Sequence, residues 1–212
     1  MNRLVRKCNL QKLRFGDSLD SDIAPFRRAL VNETGFQLFS SMVEGYIVLS
    51  KNLDSEIVKE VAQNALDFIC ELEIGGNISP LNEVEFFEAK SIADRTYNYF
   101  FHYDNIEVNP MFSGCGIVSD CYGDVLADST LYEIKSGDRG FRITDLKQVL
   151  TYCVLNYSDH KVTIDNIALL NPRLGVYIVL PLIDVVELAS GRSTIECFSE
   201  MIDFFDSPED FR

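Results

Sequence analysis

Between Gly123 and Tyr152 the chain reads GDVLADSTLYEIKSGDRGFRITDLKQVLTY, and few folds can accommodate this stretch. Two short apolar runs, Asp124 to Ala127 and Leu131 to Lys135, flank a polar break at Asp128, Ser129 and Thr130. Strand-like segments around so short a link form an antiparallel hairpin. A connection centred on Asp128 and Ser129 sets Ala127 against Thr130, and counting back places Asp124 opposite Glu133. Cross-strand neighbours hold their Cβ atoms about 4.5–5.5 Å apart, so two carboxylates in that register repel unless a cation sits between them. Lys135 follows Glu133 at the period of the pleat and returns to the same face.

Two oxygen ligands and an ammonium on rigid strands suit metal-assisted phosphodiester hydrolysis. The carboxylates hold a hard cation such as Mg²⁺, while the lysine polarises the attacking water and offsets charge on the phosphorane. A surface hairpin with an ordinary Glu-x-Lys pair is the plainer alternative, and the next segment weighs against it. After the turn-rich connector Ser136 to Gly140, Thr144 offers a helix N-cap, and Leu146, Val149, Leu150, Cys153 and Val154 recur at helical spacing to about Asn156. Gln148 and Tyr152 then lie one above the other on a single helical face. There an amide and a phenol can hydrogen-bond a scissile phosphate or hold the water.

In this order and at this spacing, Asp124, Glu133-Ile134-Lys135 and Gln148-x-x-x-Tyr152 resemble the PD-(D/E)xK nuclease superfamily, in the QxxxY branch that includes lambda-type exonuclease and RecB-like nuclease domains. The resemblance covers about residues 83–181. It implies a restriction-endonuclease-like α/β core, a central mixed sheet flanked by helices, within residues 81–212. Residues 1–80 are then a mainly helical N-terminal extension packed on that core. It also implies Asp124, Glu133 and the main-chain carbonyl of Ile134 as ligands of Mg²⁺ or Mn²⁺, Lys135 as the catalytic lysine, and Gln148 with Tyr152 as the positioning pair. In that family the helix before the hairpin often lends a further carboxylate. Glu88 is the candidate here, with Glu85 behind it, and His102 is placed where some relatives use a histidine. Gly123 stands where the family has proline, a departure without chemical consequence. Asp120 competes with Asp124 but lies too far from the turn to reach the Glu-x-Lys strand.

The net charge of −14 argues against a protein that grips DNA with a uniformly basic surface. The charge is uneven, however. Residues 1–30 are net positive, whereas 51–107 and 182–212 are strongly acidic. Arg139, Arg142, Lys147 and, from a later turn, Arg173 are the candidate phosphate-binding residues. A basic rim on an acidic body fits DNA bound at the site, with RNA left open, and a protein partner or a second copy supplying further affinity. The expected function is a metal-dependent deoxyribonuclease, exonucleolytic or endonucleolytic, working as the nuclease subunit of a larger DNA-processing or foreign-DNA defence assembly. The alternative from another class is a nuclease-like fold kept as a non-catalytic scaffold whose acidic face docks a basic partner. No run approaches the roughly 18 consecutive apolar residues of a spanning helix. The six cysteines are scattered and form no C-x-x-C. A cytoplasmic chain with reduced thiols and no membrane contact is therefore expected.

Upstream, the cations of residues 1–30 suit a strand or arm that touches nucleic acid or, more simply, a peripheral element whose charges are solvated. Apolar spacing predicts helices over 36–49 and 55–72, the second capped by Asp54 and ended by Gly75-Gly76-Asn77. A third starts at the cap Asn82, with Glu85 completing a capping box, and runs to about Phe101. Downstream, Ile164 to Leu170 and Gly175 to Leu180 read as buried strands joined by the turn Asn171 to Leu174. Segments 184–189 and 193–205 read as closing helices.

Overall fold

The computed structural model describes residues 1–46, 56–71 and 78–207. In chain order the elements are α1 (Asn2–Gln11), β1 (Leu13–Arg14), α2 (Arg28–Val43), α3 (Glu56–Glu71), α4 (Glu83–Phe100), β2 (Ile106–Val108), β3 (Met111–Phe112), β4 (Cys121–Tyr122), β5 (Val125–Ala127), β6 (Thr130–Ile134), α5 (Ile143–Asp159), β7 (Asn166–Asn171), β8 (Val176–Pro181), α6 (Leu182–Ser190) and α7 (Thr194–Asp206). Strands β1, β8, β7, β6, β5 and β2 form one sheet in that order, and β3 pairs with β4 beside it. Every neighbour in the large sheet is antiparallel except β6 and β7. Parallel neighbours need a crossover, and α5 supplies it. The chain is an α/β protein with a mixed sheet flanked by helices.

The hairpin adopts the expected register, with Ala127 opposite Thr130 and Val125 opposite Tyr132. Asp128 takes the left-handed conformation, φ 49°, that such tight turns demand. Side-chain alternation then divides the core between two faces. Leu126, Leu131, Ile167 and Leu169 meet α1, α5, α6 and α7 on one side. Val125, Ala127, Tyr132 and Ala168 meet α2, α3 and α4 on the other.

Several elements depart from the sequence reading for identifiable reasons. The basic N-terminus is a helix rather than an arm or strand, with its cations solvated as the simpler expectation had them: Leu4 and Cys8 of α1 are buried while Arg3, Arg6 and Lys7 stay outside. The short β1 then covers β8, pairing Leu13 with Tyr177 and Arg14 with Val176. The turn before it closes so tightly that a Cβ on Gly175, whose φ is 62°, would fall 2.2 Å from the Gly16 carbonyl oxygen. Helix α2 starts at Arg28, well before Phe36, burying Leu30 and Val31 in its first turn and running on through Gly35. A Cβ at Gly35 would meet the Ala89 carbonyl at 2.9 Å, so α2 and α4 pack backbone to backbone at a position that an apolar-repeat pattern does not register. Helix α4 keeps its Asn82 cap and capping box. Helix α5 is capped at Arg142, whose N–H donates to Asp145 Oδ2 at 2.8 Å, so a carboxylate rather than the Thr144 hydroxyl closes the first turn. The expected Asp54 cap and Gly75-Gly76-Asn77 stop lie outside the described residues. Among the described residues no helix is long and apolar enough to cross a membrane.

Candidate active site

One step beyond the pair Val125 and Tyr132, the hairpin reaches Asp124 and Glu133. By alternation both share the face of Leu126 and Leu131, the side covered by α5. Lys135 returns to that side. Its Nζ pairs with Glu133 Oε1 and donates to Gln148 Oε1 at 3.2 Å. Gln148 Nε2 donates in turn to the Tyr152 hydroxyl at 2.8 Å, one turn along α5. The Tyr152 ring stacks on Phe112 with centroids 5.6 Å apart, which fixes where its hydroxyl sits. Asp124 Oδ2 accepts the Ile134 N–H at 2.6 Å. The structure thus brings Asp124, Glu133, Lys135, Gln148 and Tyr152 into one run of contacts, with the Ile134 backbone alongside.

This cluster is electrostatically costly as it stands. Glu133 is fully buried, and its Oε2 has no hydrogen-bond partner among the described residues. A bare buried carboxylate oxygen is expensive unless a proton or cation takes the vacant position. Burial, and then repulsion from Asp124, accordingly push the Glu133 carboxyl up to about 8, although Lys135 opposes the rise. Burial likewise raises Asp124 to about 6 against the pull of Lys135 and the Ile134 N–H. Burial by itself would lower the Lys135 ammonium, but Glu133 and Asp124 outweigh it and hold it above its ordinary value. Burial lifts the Tyr152 phenol to about 12, so it remains a neutral donor and acceptor. The cluster therefore holds protons that a divalent cation can displace. This donor set suits Mg²⁺ or Mn²⁺, which bind through one or two carboxylates and keep other oxygens for water and phosphate. Among the described residues no three His, Cys, Asp or Glu side chains converge tightly enough to enclose a metal by themselves.

Two sequence candidates lie elsewhere. Glu88 is not at the carboxylate pair: it is ion-paired with Arg173 and accepts the Ser21 hydroxyl at 3.0 Å. Arg173 is not available to a phosphate, since it is 1 % exposed and also donates to the Ser136 carbonyl at 2.6 Å and to Asn32 Oδ1 at 2.9 Å. It is an internal strut tying α2, α4 and the end of β6 to the β7–β8 turn. Arg173→Ala is expected to destabilise the fold by about 3–5 kcal/mol in urea denaturation, because Glu88 would be left desolvated with only the Ser21 hydroxyl and no cation to offset its charge. Glu88→Gln should leave any cleavage activity in place.

Glu85 is committed to Arg27, with both guanidinium hydrogen bonds at 2.7 Å, as well as to its cap. Asp120 accepts the Gly114 N–H at 2.7 Å. His102 is exposed against Phe101, and His160 ends α5 in the left-handed conformation. Arg139 lines the site but is forked onto Asp145 at 2.8 and 2.9 Å. Arg142 and Lys147 are exposed and have no ion-pair partner among the described residues.

Another carboxylate, from α2, faces the same cleft as Asp124. Glu33 and Asp124 line one cleft of about 840 Å³. The charge of Glu33 contributes to the rise at Asp124, and burial raises the Glu33 carboxyl itself against a 2.9 Å hydrogen bond donated by Gln37. Its sequence signal is an acid, followed one turn later by an amide, within the apolar stretch Leu30 to Phe39. Comparison with protein-family models finds none that matches the chain, and no curated protein matches it.

Proposed function

We propose that the protein is a Mg²⁺- or Mn²⁺-dependent deoxyribonuclease with a restriction-endonuclease-like core. The observation that supports this most is the bare, buried carboxylate oxygen of Glu133 beside Asp124, on the side where Lys135, Gln148 and Tyr152 run in sequence. A divalent cation bound there supplies Lewis-acid assistance to phosphodiester hydrolysis. Asp124, Glu133 and the Ile134 carbonyl would hold it, and Glu33 lines the same cleft as Asp124. Lys135 places its ammonium where negative charge grows on the phosphoryl oxygens. Gln148 aims that ammonium through Oε1, and Tyr152 holds the amide in the orientation that leaves Oε1 towards Lys135.

The flanking backbone is held by Arg142 and Lys147 on the outer side of α5. Arg142→Glu with Lys147→Glu is expected to weaken DNA binding and to reduce the salt slope of the binding constant by about two, one for each phosphate no longer neutralised. Fluorescence anisotropy over a salt series measures it.

The activity is tested by incubating the purified protein with linear and with circular DNA in Mg²⁺, Mn²⁺ or EDTA. Cleavage in either metal and none in EDTA is the expected result, and cutting of the circle identifies an endonuclease. No cleavage of either DNA in either metal would leave the non-catalytic scaffold as the better reading.

A further inference from the structure

Tyr122 and Phe68 enter the cleft from different elements, Tyr122 from β4 on the sheet side and Phe68 from α3. Each leaves much of its ring open, 59 % for Tyr122 and 43 % for Phe68. Neither makes a ring contact among the described residues, although Tyr99, Tyr103 and Tyr132 are packed against one another. Tyr122 stands two positions before Asp124, held there by the pairing of β4 with β3 and by the Gly123 N–H donating to the Pro110 carbonyl at 2.9 Å. Large aromatic faces turned to solvent beside a reaction centre call for a flat partner.

We infer that the cleft takes unpaired DNA, whose bases stack on Tyr122 and Phe68 while the adjacent phosphate meets Lys135; this rests on the nuclease reading. The bases of a double helix are stacked on one another and offer no face to a side chain until they are unpaired. The cleft volume of about 840 Å³ is in the range of small-ligand pockets and gives room for a short run of single strand. Charge points the same way. Glu33 and Asp124 offset Lys135 in the cleft lining, Arg139 beside them is already forked onto Asp145, and the chain carries a net −14, so release of counterions supplies little affinity at this spot. Stacking is the contribution left, and it is worth about 10- to 100-fold in affinity per base.

The test measures binding apart from cleavage, using Lys135→Ala protein in Ca²⁺. A labelled oligothymidine and a blunt hairpin duplex of equal length are titrated by anisotropy. A second strand carries 2-aminopurine. The single strand is expected to bind at least tenfold more tightly than the duplex. Tyr122→Ala and Phe68→Leu should each weaken single-strand binding about tenfold and relieve the quenching of 2-aminopurine, whereas Tyr122→Phe keeps both. Both aromatic positions are exposed, and circular dichroism checks that each variant is folded. Equal affinity for the two DNAs, or unchanged binding in both ring-removing variants, overturns the inference. Ring-dependent single-strand binding by a wild-type protein that never cuts would sink the nuclease reading and leave the stacking site standing. Cleavage with a KM that neither substitution moves would do the reverse.

Discussion

Lys135→Ala is expected to lower the single-turnover rate of DNA cleavage by about 10²–10³-fold at saturating Mg²⁺, the usual loss on removing one preorganised charge from a transition state. The ammonium is the cation that both buried carboxylates see and the group to which Gln148 is bonded. Its removal takes away charge stabilisation and unseats the amide together. Asp124 and Glu133 remain, so calorimetric titration should still find divalent-cation binding in the variant. That separates a catalytic role from a structural one. A cleavage rate within a few-fold of the parent, or loss of cation binding along with cleavage, would remove Lys135 from the role assigned to it.

Glu133→Gln is expected to abolish cleavage and to make the metal-free protein more stable. An unfolded glutamate titrates near about 4.3, whereas burial and Asp124 raise Glu133 to about 8 in the fold. Between those values the folded chain keeps a proton that the unfolded chain has released. Stability therefore falls as pH rises through this window, and the penalty is fully present above the folded value. In EDTA the melting temperature of the parent should decline from pH 5 to pH 8 relative to that of the glutamine variant. At pH 8 the variant should be the more stable by something on the order of 2–4 kcal/mol. Adding Mg²⁺ should raise the parent and leave the variant nearly unmoved, since only a protein that binds the cation gains from it. A variant less stable than the parent at pH 8 in EDTA would mean that the Glu133–Lys135 ion pair more than repays its own burial.

What could be read from the chain and what could not divides by sequence distance. The register of Asp124 against Glu133 follows from a turn of a few residues, and the spacing of Gln148 and Tyr152 from the pitch of one helix. Local rules suffice for both, and the observed pairing agrees with them. Glu33 reaches the cleft across a distance that only the packing of α2 sets, and that packing depends on Gly35, a residue invisible to a search for apolar periodicity. Glu88 and Arg173 look like ordinary surface charges until the fold brings together residues separated by 85 positions. The N-terminal cations suggested an arm because charge dominates their composition, yet Leu4 and Cys8, one turn apart, were enough to seat a helix.

The pairing of β1 with β8 has a consequence for handling the protein. Leu13 and Arg14 shield the outer edge of β8 only at Val176 and Tyr177. The far end of that edge closes on Pro181, which has no N–H to offer. Were the first fifteen residues trimmed away, the backbone groups at Val176 and Tyr177 would be open to a strand from another molecule, and self-association along that seam would follow.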